Sequence, residues 1–326
     1  MNDGNNKQEI PDLTLSIVTG GNRDLVIDFL RSVKHHTKGI SYETIVLEYK
    51  KTDDTADAIS GEFPDARILE SDKVRGFGEN HNAILHHARG RYVAILNDDM
   101  VLKNNALGLM VEYADEHPEA GIIAPRLYNP DGTIQPSSYV SWSTPFAEFM
   151  RMLRIDGFLK KDLCGGRDFP TVFGHCSGRH HETREVSHLM GACLVVRRDL
   201  MVQVMGFDER FVMGFEDQDL CRRLHNLGHK IVYYPEAEII HLGHRSIGKE
   251  GSDSRIKMLA SRLYYHNKWY GEFGGMPVRF ILMCQAFEVI LGSFVMGIIP
   301  GHFNRSRLET ARGMDMLRYL LGLRGR

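Results

Sequence analysis

The first hundred residues alternate short apolar runs with stretches of helical spacing, and this alternation restricts the fold more than any other feature of the chain. Residues 13–18 read as a strand. Over 23–33, Leu25, Phe29, Leu30 and Val33 fall on one side of a helix. A strand at 43–47 leads to a helix at 53–60, a strand at 66–69 to a helix at 78–88, and a fourth strand follows at 92–96. Strands that alternate with helices predict a parallel sheet covered by helices on both faces. Ligands in such sheets lie beyond the carboxyl ends of the strands. Residues 19–23, 48–51 and 97–100 are therefore the first places to look for chemistry.

The second half is less regular. Asn129-Pro130-Asp131-Gly132 is a turn cluster. Residues 137–187 mix signals, with Gly165, Gly166, Gly174 and Gly178 and an apolar patch over 146–159. An irregular stretch of this length inside a domain marks a functional loop or lid. A strand over 188–197, helices over 198–205 and 217–227, and closing strands over 231–234 and 238–241 complete the expected α/β domain.

The composition, 43% hydrophobic and 25% charged, supports a full core. Forty Lys and Arg against 42 Asp and Glu lack the basic excess of a nucleic-acid binder. The five cysteines have no CxxC spacing, as suits free thiols in a reducing compartment. The polar first ten residues hold no apolar signal core. A cytoplasmic enzyme is expected. Residues 280–299 are apolar apart from Gln285 and Glu288 and approach the length of a membrane span. A glutamate in the middle would be costly in lipid, so the expectation is a helix lying in a membrane interface or against a partner's apolar surface, with an ordinary core helix of the C-terminal lobe as the bland reading. Arg305, Arg307, Arg312, Arg318, Arg324 and Arg326 follow it and favour an anionic lipid surface. This places the enzyme at the inner face of the membrane.

Three constellations carry chemistry. Asn97-Asp98-Asp99 ends an apolar strand. Adjacent carboxylates raise each other's pKa, and a hard divalent cation shared with substrate phosphates would suit them; a solvated turn is the bland reading. Glu216-Asp217-Gln218-Asp219 opens a helix. One carboxylate would serve as N-cap, but three within four positions leave one for general-base work on a hydroxyl. His241 and His244 flank a glycine after an apolar strand, a placement that suits metal or phosphate. Gly76-Phe77-Gly78-Glu79-Asn80-His81 breaks the dinucleotide pattern at its third glycine. The chain also lacks a Walker lysine loop and a G-x-S-x-G elbow, which removes hydride transfer, ATP hydrolysis and the α/β-hydrolases.

Over residues 13–271 the order of motifs resembles the family 2 glycosyltransferases of the GT-A fold, in particular their rhamnosyltransferase-like branch. Thr52-Asp53-Asp54-Thr55 resembles the family's S-x-D-G-[ST] turn, and Gly76-Phe77-Gly78 with Asn82 its G-F-[AG]-x-x-x-N segment. Leu96-Asn97-Asp98-Asp99, Asp131-Gly132-Thr133-Ile134-Gln135 and Met190-Gly191-Ala192-Cys193 follow in order. Gly206-Phe207-Asp208-Glu209-Arg210-Phe211 and Phe215-Glu216-Asp217-Gln218-Asp219-Leu220 match most closely.

The resemblance implies a GT-A domain over 1–271, with a nucleotide-binding half at about 11–127, an acceptor half at about 128–271, and a C-terminal helical segment over 272–326. It implies a dTDP- or UDP-linked sugar as donor, rhamnose or another hexose as the group moved, and a glycan or lipid-linked acceptor. Thr19, Asn22 and Glu48 would surround the base and ribose. Gly76, Asn82, Asn97 and Asp98 would also lie on the donor side. Asp99 and His241 would hold Mg²⁺ or Mn²⁺, with Gly191 and Ala192 on the acceptor side. Asp217 would be the general base of an inverting displacement, helped by Glu216.

Two positions depart from the family. Leu47-Glu48-Tyr49 stands where V-D-N is usual, and Val74-Arg75 replaces the Asn before the G-F segment. Both bear on donor identity more than on reaction class. Glu48 is the best support for an alternative, a catalytically silent sugar-nucleotide- or glycan-binding relative; Asp99, Asp217 and His241 together speak against it. A nucleotidyltransferase would need a glycine-rich basic loop after the first strand, which Thr19-Gly20-Gly21-Asn22-Arg23 matches weakly.

Overall fold

The computed structural model describes residues 10–49, 54–73, 76–153, 180–243, 251–298 and 303–323. They fall into two compact units. The first holds the described residues within 1–139, 179–209 and 217–243, the second those within 140–178, 210–216 and 244–326.

The first unit is built on a mixed, mostly parallel sheet of order β3-β2-β1-β4-β11-β6-β12-β5. Strands β1 (Leu13–Thr19), β2 (Tyr42–Glu48), β3 (Arg67–Glu70) and β4 (Tyr92–Asn97) run parallel. Strand β1 is buried almost end to end, as a strand covered on both faces must be. Helix α1 (Arg23–His36) puts Val26, Ile27, Phe29, Leu30 and Val33 into that core. Its Asp24 and its Lys34, His35 and His36 sit at the ends where the helix dipole favours them. Helices α2 (Thr55–Glu62) and α3 (Phe77–Leu85) complete the alternation. The chain lays β2 and β3 on one side of β1 and β4 on the other, so the fold's switch point falls between the carboxyl ends of β1 and β4.

Beyond β4 come β5 (Met100–Leu102), α4 (Ala106–Glu116) and β6 (Ala120–Tyr128), then the two-residue strands β7 (Ile134–Gln135) and β8 (Ser138–Tyr139). The strand expected over 188–197 is two strands. Strand β10 (His188–Leu189) pairs with β8 in a separate ribbon, and β11 (Cys193–Arg197) lies antiparallel between β4 and β6. Met190-Gly191-Ala192 turns the chain from one sheet to the other. The two closing strands are one, β12 (Lys230–His241), parallel to β6 with a register shift between Tyr234 and Glu238. Pro235 lies in that irregular step, where a missing N–H costs no ladder bond. Strand β9 (Arg184–Glu185) and helix α6 (Arg198–Gln203) are short. Helix α7 (Glu216–Asn226) opens the segment that carries the acidic cluster.

The second unit holds α5 (Pro145–Met152), α8 (Gly251–Gly297) and α9 (Phe303–Leu320). Thr144 caps α5 through its hydroxyl, with Pro145 at the first helical position. Helix α8 breaks at Gly271, whose φ of 67° is left-handed. Buried Glu148 joins α5 to α8. It accepts bonds from Arg262, stands 3.3 Å from His266 Nε2, and takes 3.1 Å from Arg151. Burial pushes its pKa up, but His266 and the two guanidiniums win and bring it down to about 2.

Candidate active site

The site grows from strand ends at the switch point of the first unit. Thr19 closes β1, and its hydroxyl donates to Asp98 Oδ2 at 2.7 Å; Asn22 Nδ2 donates to the same oxygen at 3.2 Å. Burial first, and then the neighbouring charge of Asp99, raise the Asp98 pKa against these bonds. Glu48, at the end of β2, is buried, and its carbonyl accepts from Ser71 N at 2.9 Å. Tyr49 lays its ring against Gly20, where a Cβ would meet the phenol oxygen at 2.6 Å. The residue that follows Glu48 thus fills the space above the end of β1.

Asp99 and His241 meet because β5 pairs antiparallel with the end of β12, setting His241 opposite Met100. Asp99 Oδ1 lies 3.3 Å from His241 Nε2, with the side chains 7% and 11% exposed. Asn97 Nδ2 stands 3.2 Å from the same ring nitrogen. The other ring nitrogen, Nδ1, is 2.9 Å from Gln135 Oε1. Among the described residues no group of three or more His, Cys, Asp or Glu is arranged to hold a metal. A carboxylate and an imidazole facing each other still fit a hard cation that draws its remaining ligands from phosphate and water. His244 lies outside the described residues.

The acidic helix start and the strand end are tied to the same turn. Gly191 N donates to Asp217 Oδ2 at 2.9 Å, and the next residue, Ala192, accepts from Asn97 N at 3.0 Å. Gln218 N also donates to Asp217, at 2.7 Å. Asp217 keeps a partly open face, yet the depth of protein around it raises its pKa above the usual aspartate range, against those backbone bonds. Glu216 is buried at the first position of α7. Asp219 is fully buried and bonded to Arg223 at 2.8 Å, so it braces the helix. Gln218 reaches His188, whose ring stacks on Tyr139 at 4.3 Å.

Asn82 stands apart from this group. Its amide is committed to the backbone of Phe207, at 2.9 and 2.8 Å, and to Glu209 at 3.0 Å. Gly76 is the N-cap of α3, and Gly78 lies so close to Phe207 that a Cβ would come within 2.7 Å. The G-F-G segment thus meets the Gly206-Phe207 loop by packing. Thr52, Asp53, Val74 and Arg75 lie outside the described residues. Neither Gln135's contact with His241 nor the Tyr139–His188 stack is marked by any pattern in the sequence. Gln135 was visible only as the last letter of a turn motif.

The profile of the family described as "Glycosyltransferase like family 2" matches residues 11–260. The chain belongs to that family. Its activity is the transfer of a sugar from a nucleotide-activated donor to an acceptor. Among the relatives of this family 2 glycosyltransferase is the N-acetylglucosaminyl-diphospho-decaprenol L-rhamnosyltransferase of Mycobacterium tuberculosis, 29% identical over 235 residues, which span 69% of this chain and 71% of the relative. The rhamnosyltransferase WbbL of Escherichia coli is 24% identical over 181 residues, 52% of this chain and 62% of WbbL. The fold matches the mannosyltransferase PcManGT of Pyrobaculum calidifontis, solved with GDP-Man and Mn²⁺, at a TM-score of 0.54 and 13% identity over 96% of this chain and 88% of that one. GalNAc-T7 with UDP, GalNAc and Mn²⁺ matches at 0.56 and 10% identity, over 97% of this chain and 56% of that one. The GT-A fold is thereby established.

Proposed function

We propose that this enzyme is an inverting hexosyltransferase, rhamnose being the foremost candidate sugar, which uses a dTDP- or UDP-linked donor and a hydroxyl of a glycan or lipid-linked acceptor. The observation that carries the reading is the shared turn at Gly191-Ala192, which holds Asp217 through one amide and Asn97 through the next carbonyl. A base and a donor-side strand end fixed to two adjacent residues of one turn are what an in-line displacement needs.

In this reading Asp217 accepts the proton of an acceptor hydroxyl as that oxygen bonds to the anomeric carbon. The anomeric bond to the diphosphate breaks, and its electron pair leaves with the nucleotide. Attack from the face opposite the leaving group inverts the anomeric centre. A raised pKa makes Asp217 a stronger base than an exposed aspartate. Asp98, braced by Thr19 and Asn22, takes the ribose side, with Glu48 beneath the base. Glu216 orients the acceptor. Asp99 and His241 would hold Mg²⁺ or Mn²⁺, which when bound neutralises charge on the departing diphosphate. The transferase domain then runs to about residue 271.

The segment 272–326 is assigned to a peripheral contact with the inner membrane face, where a lipid-linked acceptor resides. Helix α8 is long and apolar enough to cross a membrane by length and composition alone. Its second part exposes Phe273, Met276, Phe280, Phe287, Leu291, Phe294 and Ile298, each three, four or seven residues from the last. These fall on one face. The opposite face, with Val278 and Leu282, packs beside Leu259, Leu263 and Leu320. A one-sided stripe fits an interface better than a span. Residues 251–326 carry 11 Lys and Arg against 5 Asp and Glu, while residues 1–250 carry 29 against 37. That excess favours anionic lipid.

Asp217→Asn tests the base. Sugar transfer from dTDP- and UDP-hexoses to a polyprenyl-linked sugar should fall by roughly a hundredfold or more, with donor affinity unchanged in calorimetry. Near-normal turnover would remove Asp217 from the mechanism.

A further inference from the structure

We infer that Gln135 is the positioning residue of His241: it holds the imidazole as the tautomer with hydrogen on Nδ1 and a bare Nε2 turned toward Asp99. The inference rests on the reading of Asp99 and His241 as a metal pair and gives the turn motif that ends in Gln135 a task.

The turn is built with care. Asn129 N donates to Thr133 O at 2.8 Å, and Gly132 N to Asn129 O at 2.9 Å. Asp131 Oδ1 accepts from both the backbone and the hydroxyl of Thr133, at 2.9 and 2.6 Å. Gly132, at φ 82°, takes the left-handed position that the reversal requires. The return strand β7 then pairs with β6, Gln135 opposite Leu127. Strand β12 pairs with the same β6, Ile240 opposite Tyr128. These two partners of β6 thus present Gln135 and His241 at the same end, and their side chains meet at 2.9 Å.

The two contacts on the ring agree with each other. Asn97 Nδ2, an N–H donor 3.2 Å from Nε2, asks for a lone pair there, whereas Asp99 Oδ1, 3.3 Å from the same nitrogen, could accept a hydrogen from it; the shorter contact, with the 2.9 Å contact at Nδ1, favours the lone pair. Nδ1 then carries the hydrogen, and Gln135 Oε1 is an acceptor in place to receive it. A neutral imidazole binds a metal through the nitrogen that has no hydrogen, and the partner of the other nitrogen sets which one that is. If both amides were turned over, Nε2 would carry the hydrogen and donate to Asp99, and the pair would be a plain hydrogen bond.

The test is ¹⁵N NMR of the histidine ring in the metal-free protein, with His241 assigned by His241→Gln. The expected spectrum of the wild type shows a protonated Nδ1 and a pyridine-like Nε2. Gln135→Leu should lose that preference and weaken Mn²⁺ binding, followed by paramagnetic broadening, by roughly 10- to 100-fold. Gln135→Glu keeps an acceptor and should restore both. A wild type with hydrogen on Nε2, or a Gln135→Leu variant that keeps the Nδ1–H tautomer, overturns the inference. Should the tautomer hold while Mn²⁺ fails to broaden the wild-type ring, the positioning role stands and the metal assignment alone falls.

Discussion

Asp217 is held by the backbone N–H groups of Gly191 and Gln218, which stabilise its charged form, while burial opposes that form and wins. Its folded pKa therefore lies above the ordinary aspartate value, and in the proposed role of base it becomes competent only as pH rises through that raised value. The acidic limb of the pH profile of kcat/KM should sit above the range of an exposed aspartate. Replacing Asp217 with Glu should move or blunt that limb, and a profile flat down to pH 4 would rule the residue out as base. The two acidic clusters were legible in the sequence because carboxylates at a strand end and at a helix start are visible as patterns. The separate duties within them were not. Asp219 is committed to Arg223, and Asp98 to Thr19 and Asn22, by contacts that spacing alone does not distinguish from a ligand's. Asn82 shows the limit most clearly, since its partners Phe207 and Glu209 lie 125 and 127 residues further along the chain.

Elements meet in this protein through a few close approaches. Gly206 adopts φ 68°, and a Cβ there would lie 2.2 Å from Asn82 Oδ1. Gly206→Ala should cost about 1–3 kcal/mol from backbone strain alone, read as a lowered Tm, and displacement of the α3 contact should add to it. In the second unit, Glu148 joins α5 to α8 by charge. Glu148→Ala leaves Arg262 without its partner in a site where the arginine side chain is only 17% exposed, and should cost about 3–5 kcal/mol in denaturant unfolding. An unchanged midpoint would show that the charged pair is not what fastens the helices. On the exposed stripe of α8, Phe280→Glu with Phe287→Glu should abolish co-sedimentation with phosphatidylglycerol vesicles without loss of helical circular dichroism; retained sedimentation would refute the interfacial assignment. The strand–helix alternation of the first hundred residues announced itself because its period changes at each element. The break between β10 and β11 did not, because Met190-Gly191-Ala192 continues the apolar run while the backbone leaves one sheet for another. The single strand β12 was hidden for the opposite reason: Pro235 looks like an end and is a step.

Two buried groups, His81 and Glu148, add to the molecule's response to acid in different windows. Burial lowers the His81 pKa from 6.5 to about 3, so the folded protein keeps the ring neutral while the unfolded chain takes a proton. Its contribution is complete above pH 6.5 and shrinks as pH falls toward 3, by about 1.4 kcal/mol per pH unit. Glu148, lowered from 4.5 to about 2, contributes fully above pH 4.5 and loses its share as pH falls through 2. His81→Leu should make the stability curve between pH 6.5 and 4.5 shallower than the wild type's by the His81 share, read by urea titration of both proteins side by side. A slope equal to the wild type's would transfer the effect to other groups. The turn at Gly191-Ala192 has a consequence of another kind. It grips Asp217 and Asn97 through a peptide N–H and a peptide C=O, atoms that every residue except proline supplies alike. An alanine scan of the whole chain would pass silently over the junction that ties Asp217 to Asn97, because residue 192 is alanine already and a methyl at 191 would meet its nearest neighbour at an ordinary 3.4 Å. Only a change to the backbone itself, such as proline at 191 or an ester in place of that amide, would make the site report what holds it together.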